Sequence, residues 1–493
     1  MRRFLFAAVI VLVIVGAAVA AVPFIERHGA ERLKQAIERD GSATVGAVEI
    51  GLLDRSITLR DLHVRGATEV DIGQWTASGL AWPWGELLQG RTPLSGFRFG
   101  DPLQASRIEL SGLSIADPAA GRTWTIDWLA IDGFDLARFE PAGAGPYAFQ
   151  ISIARALSAL EMARVEERNV TVGLVGPGGG TMGMASVLLE RYRRGSIDSL
   201  KIAGLGEGAA AKAETVLRIA DVSAAGVDVR RILSSMSSDD WSPGDPTGRL
   251  HVDRFSASGF TGEGLKRYGI SVGELSYVTT REGDRVLRSR LKLDGFVLAP
   301  PLLSRDGVQL RLALTSMGLK EVRAQLDCAA SEDREKGELT LDRCAVISPG
   351  LADIDLRARF VDLDDTFWRS MDEGDPGALF TSGAALASAR LVLADKSLLE
   401  RSMRGVATVL RQQPAQVRTD LARDIRRYQP PGVLISQSMT RLLDTIALFV
   451  ERGGTLTVDA RPESPLGFDR LESLSRPGAD LVTILGLTAT VSK

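Results

Sequence analysis

The chain has 493 residues, with 59 basic against 62 acidic side chains and a formal net charge of −3. That balance leaves no basic footprint for nucleic acid, and a hydrophobic content of 45% is ample for a core. This length accommodates three or four ordinary domains or one elongated structure.

Arg2 and Arg3 precede FLFAAVIVLVIVGAAVAAVPFI, an uncharged run from Phe4 to Ile25. A run of this length crosses a bilayer as a helix, with the arginines left on the cytoplasmic side. Ala18-Val19-Ala20 supplies an A-x-A site, so a cleaved signal peptide is the competing reading. The run continues through Phe24-Ile25, which favours a retained anchor. Both readings place the bulk of the chain outside the cytoplasm.

Residues 26–40 read as a short amphipathic helix, and Gly41 to Gly66 as two or three strands. From there to about residue 390 the chain shows short alternating runs, the mark of half-buried strands. One departure recurs. Apolar residues fall at steps of two, three and two in Ile57, Leu59, Leu62, Val64 and in Ile108, Leu110, Leu113, Ile115. The spacing returns at Leu129, Ile131, Phe134, Leu136, at Val222, Ala224, Val227, Val229, and at Leu291, Leu293, Phe296, Leu298. A last copy runs Leu339, Leu341, Cys344, Val346.

Gly112, Gly133, Gly226 and Gly295 occupy the slip, and Gly79-Leu80, Gly96-Phe97, Gly204-Leu205 and Gly259-Phe260 are looser relatives. One extra residue that returns the next side chain to the same face is the sequence mark of a β-bulge. Short glycine turns joining separate strands are the alternative. Both make the chain a β-rich meander, and bulges repeated in strand after strand would curve it.

MASVLLERYRR (184–194) and RRILSSM (230–236) read as helical interruptions. Beyond Lys396 the periodicity becomes helical in SLLERSMRGVATVLRQ, PAQVRTDLARDIRRY and ISQSMTRLLDTIALFVERGG, with prolines and glycines as breaks. TLTVDARP and LTATVSK close the chain as strands. The expected organisation is an anchor (1–25), a helix with strands (26–140), a β-rich meander (141–390) and a helical C-terminal module with terminal strands (391–493). The fold class is α+β and mostly β.

Catalytic and metal motifs are weak. Gly178, Gly180 and Gly183 match G-x-G-x-x-G, but the strands that follow are antiparallel in character, which points to a hairpin or loop. Asp353, Asp355, Asp362, Asp364 and Asp365 include a calcium-loop start at Asp362 with Glu373 at its twelfth position, yet Phe367 stands where that loop needs Gly. His28, His63 and His251 have no metal-ligand spacing. Arg418, Arg423, Arg426 and Arg427 read as a solvated helix face or as lipid-headgroup contacts. Trp82-Pro83-Trp84 reads as core packing or as a membrane interface. No catalytic constellation, cofactor site or metal site emerges, and the expected protein is not an enzyme.

Cys328 and Cys344 flank the polar turn SEDREKGE. A hairpin centred near Lys336 sets them opposite each other, close enough for a disulfide after modest adjustment. An exported chain meets an oxidising compartment in which the bridge persists. Two small buried thiols are the alternative.

An anchor, a short helix and then VGAVEIGLLDRSITLRDLHVRG resemble the start of AsmA-like envelope proteins of Gram-negative bacteria, over roughly residues 1–135. ASGLAWPWGELLQGRTPLSGFRF, with Leu87, Leu88 and Gly90, resembles the family's next segment, whereas the helical C-terminal module departs from the family. The resemblance implies an inner-membrane anchor, a periplasmic, elongated and curved β-sheet, and an apolar groove that holds phospholipid acyl chains. A scaffold or assembly factor whose groove is filled by its own helices is the other reading.

Overall fold

The computed structural model describes residues 22–493 except 40, 67, 83–85, 87, 88, 90, 95, 118–120, 144, 175–179, 208–216, 244–249, 283–285, 303–306, 373–376, 379–381, 430–435 and 469–479. The chain divides into two compact units. Unit 1 comprises residues up to Thr215 with Ser223–His251, and unit 2 comprises Val216–Val222 with Val252–Lys493. Antiparallel β-structure dominates each.

Unit 1 is a meander of β1 (Ala43–Gly51), β2 (Ser56–Val64), β3 (Glu69–Ser78), β4 (Leu103–Asp117), β5 (Arg122–Leu136), β6 (Leu160–Leu174), β7 (Thr181–Arg193) and β8 (Ser196–Glu207). Each strand pairs antiparallel with the next. Its helices are α1 (22–37), α2 (Ala148–Ala159) and α3 (Arg230–Met236).

Helix α1 seals the free edge of the meander. Glu26 accepts the Leu52 N–H at 2.9 Å, Glu38 accepts the Val45 N–H at 3.2 Å, and Lys34 donates to the Gly46 carbonyl at 3.0 Å. An uncovered strand edge is a template for foreign pairing, and these side chains occupy it. Leu33 then reaches the core formed with Ile57, Ala77 and Leu80.

The slips in the sequence pattern are backbone kinks, and the strands run through them. In unit 1 they line up across the sheet. Asp61 (φ 51°) lies opposite Gly73, which lies opposite Gly112 (φ 63°). Gly112 faces Asp127, and Asp127 faces Asn169 (φ 51°). The Asn169 amide donates to Asp127 at 2.8 Å, so a residue that tolerates the left-handed region is also held there.

A second line passes through Gly133 (φ 63°) and Arg191 (φ 50°), with Ala163 between them. The pairing register is unchanged on both sides of Gly133, so neither a turn nor a register-shifting bulge describes it. Gly79, Gly204, Gly226 and Gly259 share the positive φ, but Gly96 lies in a loop without it. MASVLLERYRR is also corrected, because it forms strand β7 and no helix.

Strand β9 (Arg218–Asp228) is divided between the units, and unit 2 continues through β10 (His251–Thr261), β11 (Ile270–Ser271), β12 (Glu274–Glu282), β13 (Val286–Leu298), β14 (Val322–Asp333), β15 (Glu338–Ser348), β16 (Ala352–Val361) and β17 (Ala385–Asp395). The strands β18 (Thr455–Ala460), β19 (Leu466–Gly467) and β20 (Leu487–Ser492) extend this sheet, because β18 pairs with β17 and β20 with β18. True bulges occur here, with the register shifting between Leu293 and Phe296 around Gly295 (φ 68°), and between Leu341 and Cys344.

The helices of unit 2 are α4 (Glu263–Tyr268), α5 (Gly307–Ser316), α6 (Asp365–Asp372), α7 (Leu398–Leu410), α8 (Pro414–Arg426), α9 (Gln437–Arg452) and α10 (Leu481–Ile484). Pro414 opens α8, where its missing N–H costs nothing. The Ser436 hydroxyl caps α9 by accepting the Met439 N–H. Helix α9 packs against β20. Among the described residues no helix is long and apolar enough to cross a membrane. Residues 4–21 of the expected anchor lie outside the described residues.

Candidate functional site

Cross-strand partners share a face of a sheet, so the pairing registers sort the side chains. In unit 2 one row crosses eight strands as Tyr277, Leu291, Cys328, Cys344, Leu356, Leu391, Val458 and Ala489. The row two residues further along each strand is Leu275, Leu293, Leu326, Val346, Ile354, Leu393, Leu456 and Val491. Strands about 4.8 Å apart make these rows roughly 34 Å long.

This apolar face is open in its middle. Val346, Ile354, Leu356 and Leu391 are 37–38% exposed although they lie in the interior of the sheet. The opposite face carries Arg290 on Asp327, Arg343 and Arg357 on Asp355, and Arg390 on Asp459, at 2.6–3.1 Å. Exposed pairs of this kind add little stability. They identify the solvated side, and the contrast leaves the other face apolar and partly exposed.

Unit 1 is built the same way. One row runs Ile50, Ile57, Ala77, Ile108, Ile131, Val165, Leu189 and Leu200. Its neighbour runs Val48, Leu59, Trp75, Leu110, Leu129, Glu167, Val187 and Ile202. Helix α1 packs on the first strands of this face. Glu167 is the one charged residue in the two rows, and burial between Leu129 and Val187 raises its pKa above the ordinary carboxylate value.

A carboxyl whose folded pKa is raised binds its proton more tightly when folded, so the penalty is absent below the ordinary carboxylate range and full above the folded pKa. Glu167→Gln is therefore expected to stabilise the protein by roughly 1 kcal/mol at neutral pH, with the gain vanishing in acid. Thermal unfolding of both proteins across pH measures it, and a gain that persists unchanged at low pH would contradict the assignment.

Cys328 and Cys344 are direct cross-strand partners on the apolar face and are joined in a disulfide. Alkylation of denatured, unreduced protein is expected to label neither. Replacing both by Ala should lower stability by about 3 kcal/mol in the chain-entropy model. Two labelled thiols would refute the bridge.

The remaining sequence candidates disperse. Asp364 accepts the Phe367 N–H at 2.8 Å at the start of α6, Asp353 pairs with Lys396, and Asp355 joins the ladder above. Among the described residues no group of acidic, His or Cys side chains could hold a metal. Glu373 and Gly178 lie outside the described residues, and Gly183 sits in β7, antiparallel to β6, which removes the parallel unit that a dinucleotide fold requires.

His63 bonds Asp71 at 2.6 Å, and His28 stacks near Phe24. Arg426 is held by Glu451 and Arg423 by Asp420. Trp82 is buried and donates to the Arg91 carbonyl at 2.8 Å; Pro83, Trp84, Leu87, Leu88 and Gly90 lie outside the described residues. A cavity of about 730 Å³ in unit 1 is lined by Arg155, Arg194 and Arg230, but Asp239, Glu161 and Asp228 already hold these guanidiniums.

A family model described as "Uncharacterized protein" matches residues 346–492. The match begins at Val346, inside the open apolar face, and runs to the last strand. The chain matches no curated protein.

Proposed function

We propose that the protein is a non-enzymatic, inner-membrane-anchored periplasmic protein of the AsmA-like kind that carries phospholipid acyl chains on the apolar faces of its sheets. The observation that carries this reading is the pair of apolar rows in unit 2, whose central residues remain more than a third exposed in an otherwise pleated interior. Contiguous exposed apolar patches larger than a few hundred Å² are rare on soluble monomers and mark interaction sites. The apolar run Phe4–Ile25 and the cross-strand disulfide both support an exported, membrane-held chain.

The alternative is an envelope scaffold that covers its own groove. In unit 1 helix α1 does fill the face over the first strands, which favours that reading locally. The middle rows of unit 2 argue the other way. Mass spectrometry of protein extracted in mild detergent separates the two. Co-purifying phospholipid in near-stoichiometric amount is expected, and protein free of lipid would overturn the carrier reading in favour of the scaffold.

A further inference from the structure

We propose that one end of unit 1 is a bilayer-contact surface, on which Phe24, Leu53, Phe99 and Phe149 lodge at the boundary between headgroups and acyl chains. The inference rests on the retained anchor in the proposed function, and it adds where the folded unit meets the membrane and through which side chains.

Topology brings these four residues to one end. Gly51 pairs with Ser56 beside the β1–β2 turn that carries Leu53. Ser78 and Leu103 flank the β3–β4 loop that carries Phe99, and Leu103 pairs with Leu136. Leu136 pairs with Leu160, so helix α2, with Phe149, connects β5 to β6 at the same end. The Glu26 bond to the Leu52 N–H places the first turn of α1 there as well.

Exposure singles out the same residues. Leu53 is 82% exposed, Phe24 75%, Phe149 67% and Phe99 50%, with Ile153 one helical turn from Phe149. Phe99 is held in place by an edge contact with Phe139, 5.1 Å between centroids. The side chains are spread from β1 to β6, a span of roughly 24 Å at ordinary strand spacing. At the opposite end the chain leaves β2 through Arg65 and Gly66, and Met182 at the start of β7 is the exposed large hydrophobic among the described residues there.

The occupant is set by the chain itself. The apolar run ends at Ile25, so Phe24 is part of the anchor and also the first turn of α1. The end of unit 1 that carries Phe24 therefore stands at the bilayer boundary, where apolar and aromatic side chains bury favourably. A protein partner would have to displace the membrane from a surface the anchor already holds against it. The rows of the unit 1 apolar face then meet the bilayer end-on.

Single-cysteine probes test this, because the native cysteines are engaged in the disulfide. Leu53→Cys and Phe149→Cys, with Arg65→Cys as the control at the opposite end, are labelled with an environment-sensitive fluorophore in the full chain. Each is reconstituted into phosphatidylethanolamine–phosphatidylglycerol vesicles and floated. The expected result is flotation, with blue-shifted emission at 53 and 149 that acyl-chain nitroxides quench, and unquenched aqueous emission at 65. Flotation with aqueous emission at 53 and 149 would overturn the contact surface and leave the anchor standing. Failure to float would overturn both.

Discussion

Placing Val at Gly133 and Gly295 together is expected to lower the unfolding free energy by about 2–6 kcal/mol, roughly 1–3 at each site. Both residues have φ near +65°, which a β-branched side chain adopts only under strain. Space is short as well. A Cβ at position 133 would stand 3.0 Å from the Ala163 Cβ, and one at 295 would stand 3.1 Å from the Gly273 backbone. The two sites lie in different units, so their costs should add. Denaturant unfolding of the single and double variants measures this, and unchanged midpoints in all three would contradict the kink assignment.

The largest functional effect is expected on the open face of unit 2. Leu356→Glu with Leu391→Glu should reduce co-purifying phospholipid at least tenfold, a loss of about 1.4 kcal/mol or more in binding. The two leucines are cross-strand partners, each 38% exposed, so acidic replacements reach water in the empty protein and the fold should survive. Bound acyl chains would instead lie directly against the new charges. Arg357→Glu, on the opposite face, should leave lipid content near its original level. Equal lipid in the Leu356/Leu391 variant and the parent would sink the assignment of the site.

Much of this architecture is legible in the residues, because the kink leaves a trace that alternation alone does not. Leu129, Ile131, Phe134 and Leu136 disclose both the strand and its slip, and the left-handed residue stands where the spacing puts it. The lateral alignment of slips is not legible, since it depends on which strands become neighbours. Asp61 stands at the slip of the first copy without a glycine, Asn169 has charged Glu167 interrupting the apolar spacing around it, and only the paired register shows the line.

The same device explains the misread strand. Met184 and Val187 straddle the first kink line, and a step of three followed by Leu188 imitates helical spacing, so β7 looks like a helix. The converse ambiguity lies in α5, where VQLRLAL alternates like a strand yet forms a helix. Tertiary packing decides it, with Leu314 buried and Leu312 65% exposed. Glu167 was concealed by its acidic and basic neighbours, Glu166 and Arg168, which face the other way in an ion pair. Its alternation with Val165 was the available signal.

The most direct test of acyl-chain binding is site-specific photocrosslinking in living cells. A photoreactive residue at Leu356 samples the apolar face, and one at Arg357 samples the solvated face one residue away. The account predicts phospholipid adducts from position 356 and none from 357. Adducts from neither position, or equally from both, would contradict it.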